Sequence, residues 1–147
     1  MNTTYENFLH SKIEVAPVSG FQVPETALNP ALKPHQRDAV LWAVKGGRRA
    51  LFESFGLGKT VQELEWCRLV AQHEGGKVLI VLPLGVRQEF CRDAAELLGM
   101  EPPSYIRTMA EAEVAPGQIL LTNYERVRDG DINPGRFCGV ALDEASV

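Results

Sequence analysis

The stretch that decides the fold covers residues 51–62 and reads Leu51-Phe52-Glu53-Ser54-Phe55-Gly56-Leu57-Gly58-Lys59-Thr60-Val61-Gln62. Gly56 and Gly58 allow the backbone to bring N–H groups close to phosphate oxygens, and Lys59 adds a positive charge there. Thr60 can place its hydroxyl on Mg²⁺. A helix that begins where this loop ends directs its positive N-terminal end at the same anion. The stretch therefore predicts a nucleotide-phosphate loop.

The loop departs from the generic pattern G-x-x-x-x-G-K-[ST] at one position, since Glu53 stands where the first glycine would fall. A glycine-containing turn that carries a lysine can also arise by chance. The flanking sequence favours the phosphate loop, because a short apolar strand over 49–52 precedes it and helical spacing over 59–72 follows it.

Composition limits the class of protein. With 147 residues, 45% of them hydrophobic, the chain is long enough for one domain with a core, and a net charge of -4 argues against a polybasic nucleic-acid or membrane binder. Its three widely spaced cysteines fit reduced, buried thiols of a cytosolic protein. The sequence lacks an apolar run of membrane-spanning length and a signal-peptide pattern, so we expect a cytoplasmic protein without a membrane partner.

Strand and helix patterns alternate along the chain. Apolar runs at 77–82, 118–121 and 140–142 predict buried strands, with another near 104–106, and helical spacing covers about 34–45, 59–72 and 86–98. Residues 1–31 read as an irregular lead-in, and 32–147 as the domain. The alternation predicts an α/β fold with a doubly wound, mostly parallel sheet, and functional residues at the carboxyl edge of the strands.

An acidic pair, Asp143-Glu144, follows the last apolar strand at the edge where the phosphate loop also emerges. In such a site Asp143 would hold Mg²⁺, through water, and Glu144 would act as the base or orient the attacking water. Lys59 and Mg²⁺ would neutralise the β and γ oxygens. A solvated acidic strand end is the common alternative, and only the lysine loop upstream favours a shared site.

Several sequence motifs, which occur in the same order as in a known family, resemble the motifs of that family. The loop over 53–62 resembles motif I of superfamily-two helicases, above all the Swi/Snf-type translocases and their phage-encoded relatives, and Asp143-Glu144-Ala145-Ser146 resembles motif II of the DEAD and DEAH families. Residues 32–36 look like the Q motif region, residues 78–84 resemble motif Ia, and residues 121–125 resemble a later segment that faces nucleic acid. The resemblance covers about residues 32–146.

The resemblance implies a RecA-like P-loop NTPase lobe that is incomplete at its C-terminus, with ATP and Mg²⁺ as cofactors. By this resemblance Lys59 and Glu144 are the catalytic residues, and Thr60 and Asp143 bind the metal. The expected ATP contacts are Gln36, on the adenine, with Gly56, Leu57, Gly58, Lys59, Thr60 and Val61. Ser146 replaces the last residue of the DEAD or DEAH box, which leaves the coupling of nucleotide binding to nucleic-acid binding open.

The resemblance also implies a nucleic-acid surface, with DNA as the expected partner and contacts mostly to its phosphates. The residues concerned are Pro83, Leu84, Arg87, Gln88, Thr122, Asn123 and Tyr124. Each has a plainer interpretation: Pro83 and Leu84 can simply end a strand, and Arg87 and Gln88 can form a solvated helix face. Tyr124 could stack on a base, although such a tyrosine more often belongs to a core or its rim.

In the resembled family the first lobe continues into motif III, and a second RecA-like lobe supplies a catalytic arginine, whereas this sequence ends at Val147. Because such an arginine contributes about 10³ to 10⁵ in rate, we expect the chain to bind ATP·Mg²⁺ and to turn it over poorly without that lobe or a partner that supplies it. The alternative is a stand-alone, non-catalytic DNA- or protein-binding module derived from a helicase lobe. The Q-like and Ia-like segments disfavour another class of P-loop NTPase.

Some further residues are expected to serve packing. Trp42 and Trp66 lie at helical spacing among apolar neighbours, which predicts core positions. In the helix over 86–98 we expect Phe90, Ala94, Leu97 and Leu98 to point inward. His35 is expected to pack or cap rather than catalyse.

Overall fold

The computed structural model describes residues 20–46 and 59–143 of the chain. Within these residues, four strands form one sheet: β1 (Val78–Leu82), β2 (Ser104–Tyr105), β3 (Ile119–Asn123) and β4 (Gly139–Leu142). Their order across the sheet is β2-β3-β1-β4, and all three pairings are parallel. The predicted α/β class with a parallel sheet is confirmed, and every strand lies where an apolar run predicted one.

Helices flank this sheet. They are α1 (Pro34–Gly46), α2 (Lys59–Glu74), α3 (Arg87–Leu97), α4 (Met109–Val114) and α5 (Tyr124–Arg128), with 3₁₀ turns at Glu25–Ala27, Leu84–Val86 and Pro134–Arg136. Glycines in left-handed conformation follow two of them, since Gly75 has φ of 73° after α2 and Gly99 has φ of 63° after α3. The three long helices agree with the predicted spans within two residues at each end, and α4 and α5 were not foreseen.

Alternate residues of the central strand point to opposite faces of the sheet, as strand geometry requires. Val78, Ile80 and Leu82 pack in a core with residues of α1, α2 and α3. Leu79 and Val81 pack in a second core on the other face, with Ile106 and residues of α4 and α5 among its members. Both faces are therefore covered, which explains why β1 and the first three residues of β3 are apolar and why both strands are buried along their whole length.

The segment before α1 is held on α2 by polar contacts. The Asn29 backbone N–H donates to Glu65 Oε2 over 2.7 Å, and Arg68 Nη2 donates to the Ala27 carbonyl over 2.8 Å. Arg68 also binds both carboxylate oxygens of the fully buried Glu65, each over 2.7 Å. This arrangement supplies the buried carboxylate with the charged and hydrogen-bonding partners that it needs.

Two side chains are placed differently from the sequence-based expectation. Trp42 was expected in the core, but 49% of it is exposed, whereas Trp66 is buried as expected. Leu97 was expected to point inward, but it is 53% exposed, whereas Phe90, Ala94 and Leu98 are buried. Leu97 shares a helical face with Phe90, seven residues earlier, but it is the last residue of α3 and the core does not extend to it.

The cysteines also differ from one another. All three are free thiols, as expected, but only Cys67 is buried, whereas Cys91 is half-buried and Cys138 is exposed.

Within the part of the chain that the structure describes, none of the helices has the length and apolar character needed to cross a membrane.

Candidate nucleotide-binding site

The site lies at the carboxyl edge of the sheet, where the chain leaves β4 and where α2 begins. Asp143 directly follows β4, and Lys59 is the first residue of α2. Lys59 Nζ lies 2.8 Å from Asp143 Oδ1, and the side chains are only 12% and 2% exposed. The folded chain thus brings together the lysine of the phosphate-loop motif and the aspartate of the acidic pair.

This ion pair has a clear physical reason. A buried carboxylate requires a cation or several donors nearby, because the loss of its hydration is costly. Lys59 supplies that cation from the first turn of α2. Both partners could instead bind parts of a magnesium-bound nucleotide, the ammonium a phosphate oxygen and the carboxylate the metal. ATP·Mg²⁺ could therefore replace each partner of the pair: a phosphate oxygen would take the place of the carboxylate at Lys59, and Mg²⁺ would take the place of the ammonium at Asp143.

The main chain of Asp143 is fixed on both sides. Its N–H donates to the Val81 carbonyl over 2.8 Å, which extends the pairing of β4 with β1 by one residue. Its carbonyl accepts a hydrogen bond from the Tyr124 hydroxyl over 2.5 Å. Contacts from β1 and from the start of α5 thus determine where the aspartate backbone lies, independently of the partner of its carboxylate.

Thr60 and Val61, which continue the predicted phosphate loop, occupy the first turn of α2 and are buried. A threonine hydroxyl next to a phosphate-binding lysine and a carboxylate from a neighbouring strand form a donor set suited to Mg²⁺, which takes one or two protein oxygens and completes its shell with phosphate oxygens and water. The residues present therefore fit ATP·Mg²⁺. Lys59 would hold phosphate oxygens, and Thr60 and Asp143 would hold the metal.

Gln36, the residue expected on the adenine, is buried near the start of α1. Its Oε1 accepts a hydrogen bond from the Lys33 backbone N–H over 2.8 Å. This contact is one half of a capping box, in which the third helical residue reaches back to the residue before the helix. Gln36 thus has a structural role at the helix start, and its contact with adenine stays a prediction.

Four predicted site residues lie outside the described residues. These are Gly56, Leu57 and Gly58 of the loop and Glu144 after Asp143, and the predicted strand over 49–52 lies outside as well. Their roles stay predictions.

The residues expected to contact nucleic acid form two groups at the same edge. Leu84 and Gln88 are exposed just after β1, and together with Gly85 and Arg87 they line a shallow depression of about 330 Å³. The Arg87 guanidinium lies over the Tyr105 ring, 4.8 Å from its centroid, in a cation–π arrangement. Pro83, which precedes the depression, is half-buried. This group is open to a ligand.

The second group is largely engaged within the protein. Thr122 is fully buried and its hydroxyl donates to the Ile106 carbonyl over 2.9 Å, so its side chain is not available to a partner in this structure. Asn123 accepts from the Tyr105 hydroxyl and donates to Glu125 Oε1. That donation from Asn123 is the main reason that the pKa of the Glu125 carboxyl is lowered. Tyr124 is half-buried and bonds to Asp143, as a rim residue rather than a free base-stacking ring.

The arginines of α5 add little positive charge to this edge. Arg126 pairs with Asp131 over 3.1 Å and Arg128 pairs with Asp129 over 3.0 Å, and all four side chains are well exposed. Tyr105 contacts both Arg87 and Asn123 but is not among the site residues that the sequence predicts. A tyrosine in a two-residue strand leaves no pattern that could have revealed it.

The chain matches no protein-family model and no curated protein.

Proposed function

We propose that this chain is the ATP-binding, RecA-like lobe of a superfamily-two ATPase of the Swi/Snf-like or DEAD/DEAH-box type, and that it acts on DNA. The observation that carries the proposal is the ion pair between Lys59 and Asp143. Two motifs far apart in sequence, each of which has a distinct task in holding ATP·Mg²⁺, lie within bonding distance at the carboxyl edge of a parallel sheet. In open parallel α/β sheets this edge is where ligands bind.

The task of each residue follows from its chemistry. Lys59 binds oxygens of the β and γ phosphates, and the N-terminal end of α2 adds its partial positive charge. Thr60 and Asp143 hold Mg²⁺, which supplies charge neutralisation at the phosphates when it is bound. Glu144, the next residue in sequence, is proposed to orient the attacking water. Gln36 is proposed to recognise the adenine.

Calorimetric titration of ATP with Mg²⁺ into the chain tests the nucleotide site. Lys59→Ala is expected to weaken ATP binding tenfold or more, because a hydrogen bond to a charged group contributes about 1.5 to 3 kcal/mol. Lys45→Ala is the matched control, since Lys45 is an exposed lysine at the end of α1, and its affinity should stay within about twofold of the wild type.

Lys59→Ala leaves the buried Asp143 carboxylate without its cation, so it can also destabilise the fold. The double variant Lys59→Ala/Asp143→Asn removes both charges and avoids this problem. It is expected to fold and to lack Mg²⁺-dependent ATP binding. Wild-type affinity for ATP in both Lys59 variants would refute the proposal.

The nucleic-acid part rests on the depression at Leu84, Gly85, Arg87 and Gln88, which is exposed beside the nucleotide site. It is tested by measuring ATP affinity with and without single- and double-stranded DNA. Coupled sites would give tighter ATP binding in the presence of DNA and, by reciprocity, tighter DNA binding in the presence of ATP. If the chain binds no DNA both with and without ATP, DNA is removed from the proposal.

A further inference from the structure

The hydroxyl of Tyr124 touches the main chain of the residue proposed to hold the metal. It donates to the Asp143 carbonyl over 2.5 Å, while its ring packs against the second core. The two halves of this side chain thus make separate contributions. The ring is part of the packing below the sheet, and the hydroxyl is part of the site.

The contact passes over the end of β1. Tyr124 follows β3 and Asp143 follows β4, and these strands are not neighbours, because β1 lies between them. Two strand spacings of about 4.8 Å separate them, or roughly 9.6 Å. A long side chain with a polar end can bridge the end of β1, and this one does. Tyr124 thereby links the segment after β3 directly to the end of β4.

The link matters because the carboxylate of Asp143 would change partners. It pairs with Lys59 in this structure. Once ATP·Mg²⁺ engages both Lys59 and the carboxylate, the remaining described contacts on Asp143 are those to its main chain, from Val81 and Tyr124. These two contacts would determine the position of the carboxylate in the loaded site.

We infer that Tyr124 is a positioning residue for the metal-binding aspartate, acting through its hydroxyl on the Asp143 carbonyl. This inference rests on the proposed function of the site. It gives Tyr124 a role different from the nucleic-acid contact that the sequence resemblance implies.

The test compares ATP affinity in Mg²⁺ with ATP affinity in EDTA, using calorimetric titration of the full chain. The ratio of the two dissociation constants measures what the metal contributes. Tyr124→Phe removes the hydroxyl and keeps the ring. It should reduce this ratio by about three- to tenfold, at most the effect of one hydrogen bond, because the Asp143 carboxylate is then less well positioned for the metal. Its affinity in EDTA should stay within about twofold of the wild type, because Asp143 is proposed to reach the nucleotide through the metal.

Tyr105→Phe is the matched control. Tyr105 lies at the same edge and its hydroxyl bonds to Asn123, so this variant loses a comparable contact that does not involve Asp143. It should retain the wild-type ratio. The inference would be overturned if Tyr105→Phe lowered the ratio as much as Tyr124→Phe, or if Tyr124→Phe left the ratio unchanged. It would also be overturned if Tyr124→Phe lost the same affinity with and without Mg²⁺ and had a lower unfolding temperature.

The outcomes separate this inference from the proposed function. If the wild type binds ATP with Mg²⁺ and Lys59→Ala does not, but Tyr124→Phe behaves like the wild type, the site stands and only the inference fails. If the wild type shows no contribution of Mg²⁺ to ATP binding, both fail.

Discussion

Lys59 and Asp143 form an ion pair in which Nζ and Oδ1 are 2.8 Å apart, at the junction of α2 and β4. Each residue is the one that its motif would use to hold ATP·Mg²⁺. In the described structure they pair with each other, so ATP·Mg²⁺ bound as proposed would replace this contact with two others. The affinity for ATP would then be the difference between the new contacts and the ion pair that is lost.

The close passage of β4 beneath α2 predicts that Gly139→Ala is destabilising. A Cβ on Gly139 would lie 2.9 Å from Val70 Cγ1 and 3.4 Å from the Trp66 ring. Since such overpacking costs about 1 to 3 kcal/mol, urea denaturation should show a loss of that size. Gly117→Ala is the control, because a Cβ there meets nothing within 4 Å, and its stability should change little. Equal stability of the two variants would contradict the packing described.

The buried Glu65 predicts a large effect of Arg68→Met. Arg68 makes two 2.7 Å contacts with this carboxylate, and its removal leaves a buried charge with the Asn29 N–H as a remaining donor. Breaking a buried pair in this way costs of the order of 3 kcal/mol, at the low end of the usual range because Arg68 is 31% exposed. Arg92→Met breaks a longer pair, in which Arg92 Nε lies 3.6 Å from Asp93 Oδ1 and the Arg92 side chain is 62% exposed, and it should cost no more than about 1 kcal/mol. Thermal or urea unfolding of both variants gives the comparison.

The buried thiol of Cys67 predicts a loss of stability at alkaline pH. Burial, followed by the negative charge of Glu63, raises the pKa of this thiol well above its ordinary value of 9.0. The unfolded chain therefore releases a proton that the folded chain keeps, so the contribution to stability is complete below pH 9 and is lost as pH rises toward the folded-state pKa. Urea denaturation between pH 8 and about pH 10 measures this slope. Cys67→Ala should make the slope shallower, and an equal change in the exposed Cys138→Ala would argue against the assignment.

The depression beside the nucleotide site predicts that Arg87→Ala weakens DNA binding. Arg87 is held over the Tyr105 ring at the wall of the depression, where it can contact a phosphate. Loss of one phosphate contact should weaken binding about equally for different sequences and reduce the slope of log affinity against log salt by about 1. Arg92 lies on a different face of α3 and is the control. Fluorescence anisotropy across a salt series would distinguish the two, and the same slope for wild type and Arg87→Ala would count against the contact.

The fold could largely be predicted from sequence because parallel strands buried on both faces leave plain apolar runs. Residues 77–82 and 118–121 are of this kind, and both correspond to strands. The short helices α4 and α5 could not be predicted, because six and five residues are too few to display a helical period. The apolar neighbours of Trp42 in sequence predict a core position, but its side chain is 49% exposed. It lies two residues from the buried Val40, or about 200° around the helix, which places it on the opposite face.

The candidate site could likewise be predicted only in part from the sequence. That Lys59 and Asp143 lie close together could be anticipated, since a loop that opens a helix and a residue that ends a parallel strand belong to the same edge of the sheet. The contact of Tyr124 with Asp143 could not, because it depends on the order of the strands across the sheet. The hydrogen bond of Thr122 could not be predicted for the same reason, since its hydroxyl donates to the carbonyl of Ile106, which belongs to a neighbouring part of the sheet edge.

The most direct test of the account is to measure ATP affinity of the Asp143→Asn variant in EDTA and in Mg²⁺. Without metal, the substitution removes the Asp143 carboxylate as a competitor of phosphate for Lys59, so ATP should bind about three- to tenfold more tightly than to the wild type, corresponding to roughly 0.7 to 1.4 kcal/mol. With Mg²⁺, the same variant lacks a metal ligand and should bind ATP more weakly than the wild type. Opposite changes in the two conditions are the predicted result, and changes of the same sign, or no change in either condition, would contradict a nucleotide site built on Lys59 and Asp143.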